Sequence, residues 1–195
     1  MEQTPPSTTR PLLITFVGMP GAGKTEAVRY IQKNNAIPSV RFGDLTEEGL
    51  KEKGLPVTTE TEREFREAYR REHGMEAYAR NSRSKIDQLL QSQMVIVIDG
   101  LYSWEEYTYL KEIYEGLVLI HVYAESKIRY ARLSARPIRP LTLVDARQRD
   151  ISEIEKLNKG GPIAIADYLL VNNGEVSQLY KKIDTLLQRL GVKIE

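Results

Sequence analysis

The stretch Gly18-Met19-Pro20-Gly21-Ala22-Gly23-Lys24-Thr25 decides how the rest of the chain is read, because it fills the pattern G-x-x-x-x-G-K-[ST] at every fixed position. Its surroundings agree with it. Leu12 to Val17 is an apolar, β-prone run leading straight in, and Thr25 to Asn34 spaces Ala27, Val28 and Ile31 on one helical face. Strand, glycine loop and helix start in this order are what phosphate binding needs. Glycines let backbone N–H groups turn inward around phosphate oxygens, and the helix N-terminus adds the positive end of its dipole. Lys24 is expected to reach the β- and γ-phosphates and the Thr25 hydroxyl to ligate Mg²⁺. The stretch therefore implies a site for a nucleoside triphosphate, with ATP and Mg²⁺ as the expected ligands and Gly18 to Thr25 as the binding residues.

Composition narrows what such a site serves. The 195 residues fit one domain with a real core, and 28 basic against 27 acidic residues leave no global field to draw the chain to nucleic acid or an anionic membrane. The absence of cysteine excludes disulfides, thiolate chemistry and Cys-based zinc sites together. No stretch approaches the roughly 18 apolar residues of a membrane span, and the N-terminus lacks a basic-then-apolar leader. A cytoplasmic protein, monomeric or a small homo-oligomer, is the expectation. His73 and His121, the two histidines, have no partners at metal-ligand spacing and read as structural.

Taken in order, residues 1–10 read as a flexible tail, and residues 11–195 as a single domain. A second strand, Ser39 to Phe42, ends in Gly43-Asp44, and Asp44 with Glu47 has the spacing of a helix-capping pair. Residues 58–91 form a charged helical lobe opened by Thr59-x-x-Glu62 and interrupted at Gly74; Arg63, Arg66 and Arg70 lie opposite Phe65, Ala68 and Tyr69. Met94 to Ile98 is a strand apolar on both faces, ending in Asp99-Gly100, and an aspartate there is placed to orient Mg²⁺ or its water beside Thr25. Ser103 and Glu106 cap a helix to Tyr114, and Leu117 to Tyr123 is a fourth strand. Ser126 caps a helix that puts Arg129, Arg132 and Arg136 on one face; Pro137 and Pro140 stiffen the connector, and Thr142 with Asp145 caps a return helix to about Asn158. Residues 126–158 thus read as an arginine lid, followed by a break at Lys159-Gly160-Gly161-Pro162. Asp167 to Val171 and Ser177 to Leu190 supply a last strand and helix. The alternation of strands and helices gives an α/β fold, a doubly wound, five-stranded, mostly parallel sheet.

These residues resemble the nucleoside-monophosphate-kinase-like branch of phosphate-loop proteins, and within it dephospho-CoA kinases and their relatives. The resemblance runs from Leu12 nearly to the end. It rests on the loop, on Gly43-Asp44, on Val97-Ile98-Asp99-Gly100, on Arg132 and Arg136, and on Ala166-Asp167-Tyr168-Leu169-Leu170-Val171-Asn172-Asn173-Gly174. It implies that Asn173 and Gly174 lie against the adenine and that Arg132 and Arg136 close on the triphosphate. Two departures are informative. Where adenylate-kinase-like enzymes carry an acceptor-gripping arginine three residues after the Gly-Asp aspartate, Glu47 stands, and Leu101-Tyr102-Ser103 offers none after the third strand. Arg63, Arg66, Arg70, Arg80 and Tyr102 are the remaining acceptor-side candidates.

A phosphate acceptor is already anionic and wants arginines, whereas a hydroxyl acceptor must lose a proton and benefits from a carboxylate in reach. With the usual arginines gone and Asp44 present, the balance favours a hydroxyl on a nucleotide-like small molecule. The catalytic set expected on this reading is Lys24, Asp44, Arg132 and Arg136, with Thr25 and Asp99 at the metal. The alternatives are a nucleoside monophosphate kinase using the lobe arginines, and a nucleotide-dependent ATPase or switch that meets a macromolecular partner through the lobe.

Overall fold

The computed structural model describes residues 10–193. The flexible tail expected over residues 1–10 lies outside them except for Arg10, whose guanidinium pairs with Glu115.

Five strands, β1 (Leu12–Val17), β2 (Ser39–Arg41), β3 (Val95–Asp99), β4 (Leu117–Tyr123) and β5 (Tyr168–Val171), form one sheet in the order β2-β3-β1-β4-β5. Every neighbouring pair is parallel. The helices between them are α1 (Lys24–Asn35), α2 (Asp44–Glu52), α3 (Thr59–His73), α4 (Ala77–Leu90) and α5 (Trp104–Ile113), then α6 (Ser126–Ser134), α7 (Leu143–Glu155), α8 (Gly160–Ala164) and α9 (Val176–Arg189).

The unbroken apolar run of β1 shows why the sheet is covered on both faces. Leu12, Ile14 and Phe16 enter one layer, closed by Ala27, Val28 and Ile31 of α1 and by Leu179, Ile183 and Leu187 of α9. Leu13 and Val17 enter the other, closed by Tyr78, Ala79 and Ile86 of α4 and Leu110 of α5. Because β3 lies on one side of β1 and β4 on the other, the winding reverses at β1 and opens a crevice at the strands' carboxyl ends. The phosphate loop leaves β1 there, Asp99 ends β3 and Asp44 follows β2.

Several helix starts differ from the sequence pattern. Ser103 with Glu106 and Thr142 with Asp145 make reciprocal capping boxes as expected. The α3 box, however, is Thr58 with Thr61, not Thr59 with Glu62, because Glu62 is drawn to Arg66 at 3.6 Å and to Arg139. Asp44 is the first residue of α2 and caps nothing: its carboxylate accepts from Arg41 at 3.2 Å and Lys85 at 3.5 Å, while Glu47 accepts from Arg41 at 2.7 Å. A charge-assisted bond to a guanidinium outcompetes a neutral backbone N–H. Ser126 likewise makes no cap; Glu125 holds that position with no side-chain capping bond. The expected break after Lys159 is the short helix α8, since the first turn of a helix needs no donor from Pro162.

Candidate active site: a phosphate loop and the arginines around it

At the centre of the crevice Gly23 precedes α1 with φ +107°, and a Cβ on it would stand 2.4 Å from Asn172 Nδ2. That amide donates to the Ala22 carbonyl at 2.8 Å, so the loop is pinned from the end of β5 by a buried side chain. The Lys24 ammonium donates to the carbonyls of Gly18 at 2.7 Å and Met19 at 3.2 Å, which holds it on the loop. Burial, reinforced by the nearby charge of Lys159, brings its pKa down to about 7. Thr25 is exposed at the first turn of α1.

Asp99 is half-buried, and burial pushes its carboxyl up against the opposing pull of Arg41 and Lys24. Asp44 is close enough to raise it further. Lys24, Asp99 and Asp44 therefore share one electrostatic neighbourhood across three strands. Among the described residues no three His, Cys, Asp or Glu side chains gather into a metal cage. Magnesium in such sites takes one or two protein groups and completes its shell from substrate phosphates and water, which Thr25 and Asp99 fit.

The arginines expected to form a lid divide. Arg132 donates to the backbone carbonyls of Asn172 at 2.9 Å and Gly174 at 3.2 Å, so it braces the loop after β5. Asn173 spends its side chain on Glu125, accepting from the backbone N–H and donating to the carboxylate. Arg136 is exposed and has no carboxylate at ion-pair distance among the described residues; partial desolvation of its guanidinium, together with neighbouring Arg149, lowers its pKa. Arg129 turns away from both, into a buried pair with Asp150.

Of the lobe arginines, Arg66 is half-buried and its charge reaches the Tyr102 hydroxyl, as does that of Arg149. Arg63 is exposed. Arg80 pairs with Glu76 and sits over the Tyr109 ring on the outer face of α4. Arg70, expected on the charged face of α3, is buried instead: it pairs with Glu106 at 3.0 Å and lies 4.6 Å from the Tyr78 ring. Glu106 also accepts from the N–H groups of Tyr102 at 2.6 Å and Ser103 at 3.2 Å, so Arg70 supports the turn that carries Tyr102. Arg70→Met is expected to cost about 3–5 kcal/mol of stability, because it strands a buried carboxylate. The urea midpoint measures this, and an unchanged midpoint with a raised acceptor KM would return Arg70 to the substrate.

Sequence reasoning missed a cluster on α7. Arg149 bonds Glu153 at 3.3 Å, and Glu153 pairs with the fully buried Lys159, whose ammonium lies 4.5 Å from the Tyr102 ring. Burial alone would raise the Glu153 carboxyl, but Lys159, Lys24 and Arg149 together hold it down to about 2. The spacing Arg149-x-x-x-Glu153 was a usable signal for one helix face; Lys159, beside two glycines, gave none. Arg41 and Lys85, the partners of Asp44, were equally illegible, being isolated charges in separate elements.

This geometry has relatives. Residues 14–157 match the AAA domain family. A UPF0200 protein of Thermococcus sibiricus is 34% identical over 186 residues, covering 93% of this chain and 97% of its own length. The chain belongs to the AAA domain and UPF0200 families. A second UPF0200 protein, from Methanocaldococcus jannaschii, is 30% identical over 190 residues, with 94% and 93% covered. Among solved structures, shikimate kinase from Bacteroides thetaiotaomicron aligns with this UPF0200 chain at a TM-score of 0.60 and 14% identity, over 93% of this chain and 99% of that one. A gluconokinase from Sinorhizobium meliloti aligns at 0.55 and 14%, over 92% and 93%. The UPF0200 chain thus has a phosphate-loop, kinase-like fold, and no helix among its described residues is long and apolar enough to cross a membrane.

Proposed function

We propose that the chain is an ATP- and Mg²⁺-dependent kinase that phosphorylates a hydroxyl group on an anionic, nucleotide-like small molecule, with dephospho-CoA as the first acceptor to test. The observation that carries this reading is Asp44 just beyond the carboxyl end of β2, the strand paired with the one that ends in Asp99, with the lobe arginines Arg70 and Arg80 committed to Glu106 and Glu76. A phosphate acceptor would need those guanidiniums free; a hydroxyl needs the carboxylate. Asp44 can leave Arg41 without stranding it, because Arg41 keeps its shorter bond to Glu47.

In the reaction the acceptor hydroxyl gives its proton to the Asp44 carboxylate as its oxygen bonds to the γ-phosphorus in line with the breaking bond to the β-phosphate oxygen. Lys24, Arg136 and Arg149 offset charge on the transferring group, and Arg66 with Tyr102 holds the acceptor's own anionic part. Thr25 and Asp99 would hold Mg²⁺, which would supply charge neutralisation on the triphosphate. Arg132 braces the loop on the nucleoside side and acts before chemistry.

The two lid arginines are therefore expected to fail differently. Arg136→Ala should lower kcat at least tenfold, about 1.4 kcal/mol in barrier. Arg132→Ala should instead raise the KM for ATP. Steady-state kinetics of both variants decide, and unchanged constants in both would make them a solvated basic face.

The function itself is tested by a product-resolved screen of dephospho-CoA, other nucleotide-like hydroxyl compounds and nucleoside monophosphates. Phosphorylation of a hydroxyl is the expected result. Turnover of monophosphates alone would overturn it in favour of a monophosphate kinase, and ATP hydrolysis without transfer would favour a switch.

A further inference from the structure

Arg129 is a buried arginine of α6. Its Nε donates to the Ala124 carbonyl at 3.2 Å and its Nη1 to the Pro20 carbonyl of the phosphate loop at 3.0 Å. The same guanidinium grips Asp150 of α7 through two bonds, at 2.9 and 2.7 Å, and the Tyr130 hydroxyl adds a third to that carboxylate at 2.9 Å. Both partners are buried. The loop backbone also rides directly on α6: a Cβ on Gly21 would stand 2.7 Å from the Arg129 carbonyl oxygen. One side chain thus ties the loop to the start of α6 and to the lid's return helix.

What α7 carries gives the tie its consequence. Arg149, Asp150 and Glu153 lie within five consecutive residues of α7, so the register that seats Asp150 on Arg129 is the register that brings Arg149 and Glu153 toward Lys24. A lid displaced from that seat would leave Arg129 with an unpaired buried charge and the Pro20 carbonyl with a mobile donor. Buried ion pairs are weak contributors to net stability yet strict about geometry. A function in specifying a seat suits them better than one in stability.

We propose that Arg129 and Asp150 are positioning residues that couple the phosphate loop to the lid, so that the loop takes its nucleotide-binding geometry when α7 is seated. The proposal rests on the nucleotide-binding part of the function proposed above and needs no particular acceptor.

The test is the double variant R129M/D150L, which removes both charges and keeps apolar volume, a replacement that is often neutral or stabilising. Its affinity for MgADP is read by calorimetry, with the thermal midpoint alongside. The expected result is a Kd raised at least tenfold with the midpoint kept. In parallel, R129K should recover part of the affinity, since lysine can still donate to Pro20 but cannot fork onto Asp150. A Kd within twofold of wild type in the folded double variant would overturn the coupling. Should that variant not fold, D150N decides by the same limits, because it keeps the shape and loses the charge. The readout uses no acceptor. A wild type that binds MgADP but phosphorylates nothing would therefore end the kinase reading and leave this comparison standing.

Discussion

Lys24→Ala and Thr25→Ala are each expected to bring phosphoryl transfer below detection while the chain still unfolds in one cooperative step. Lys24 donates to two carbonyls of its own loop and belongs to neither hydrophobic layer, and Thr25 is exposed at the start of α1. Losing the lysine's charge-assisted hydrogen bonds costs roughly 1–3 kcal/mol, offset in part because burial already disfavours its ammonium, so cooperative unfolding should survive. Catalysis is a different matter. A preorganised charge aimed at the transferring phosphoryl group is worth on the order of 10² to 10³ or more in rate. Chemical denaturation followed by two probes, alongside turnover at saturating ATP, separates the two effects. Loss of cooperative unfolding in either variant would make the loop a structural element first.

Asp44→Asn is the second large effect. The carboxylate is partly exposed and holds Arg41 and Lys85 at the surface, and such exposed pairs contribute about 0–1 kcal/mol, so the variant should be nearly as stable as wild type. Asparagine keeps the shape and cannot accept the proton. On a hydroxyl acceptor the rate should fall on the order of 10² to 10⁴, the usual share of a general base. On a phosphate acceptor a smaller defect is expected, arising from altered water and Mg²⁺ placement beside Asp99. The comparison is made on whichever acceptor the wild type turns over, under saturating ATP, and robust phosphorylation of a hydroxyl by the asparagine variant would sink the base assignment.

Much of the fold was legible because its signals are local. The unbroken run Leu12 to Val17, the glycine loop and the Ala27, Val28, Ile31 stripe each depend on neighbours within a few residues, and the structure forms strand, loop and helix there. β4 and the lobe break at Gly74 were legible for the same reason. The caps at Asp44 and Thr59 were misread where a competing charge claimed a side chain, and the one at Ser126 because that residue became the first of α6, with Glu125 before it. Arg41 removed Asp44 and Glu47 from capping, and Arg139, far along the chain, drew Glu62.

The sequence by itself determined that a phosphate-binding loop sits between a strand and a helix in a parallel α/β domain, because backbone conformation and side-chain periodicity are written in contiguous residues. It could not decide which arginines are free. Arg63, Arg66, Arg70 and Arg80 look alike in a helical pattern, as do Arg129, Arg132 and Arg136. Only the tertiary structure spends Arg70 on Glu106, Arg129 on Asp150 and Arg132 on the loop after β5, leaving Arg136 beside Arg149. The reason is physical: a guanidinium's role is set by whichever carboxylate or carbonyl the fold brings within about 3 Å of it, and those partners come from elements far apart in the chain.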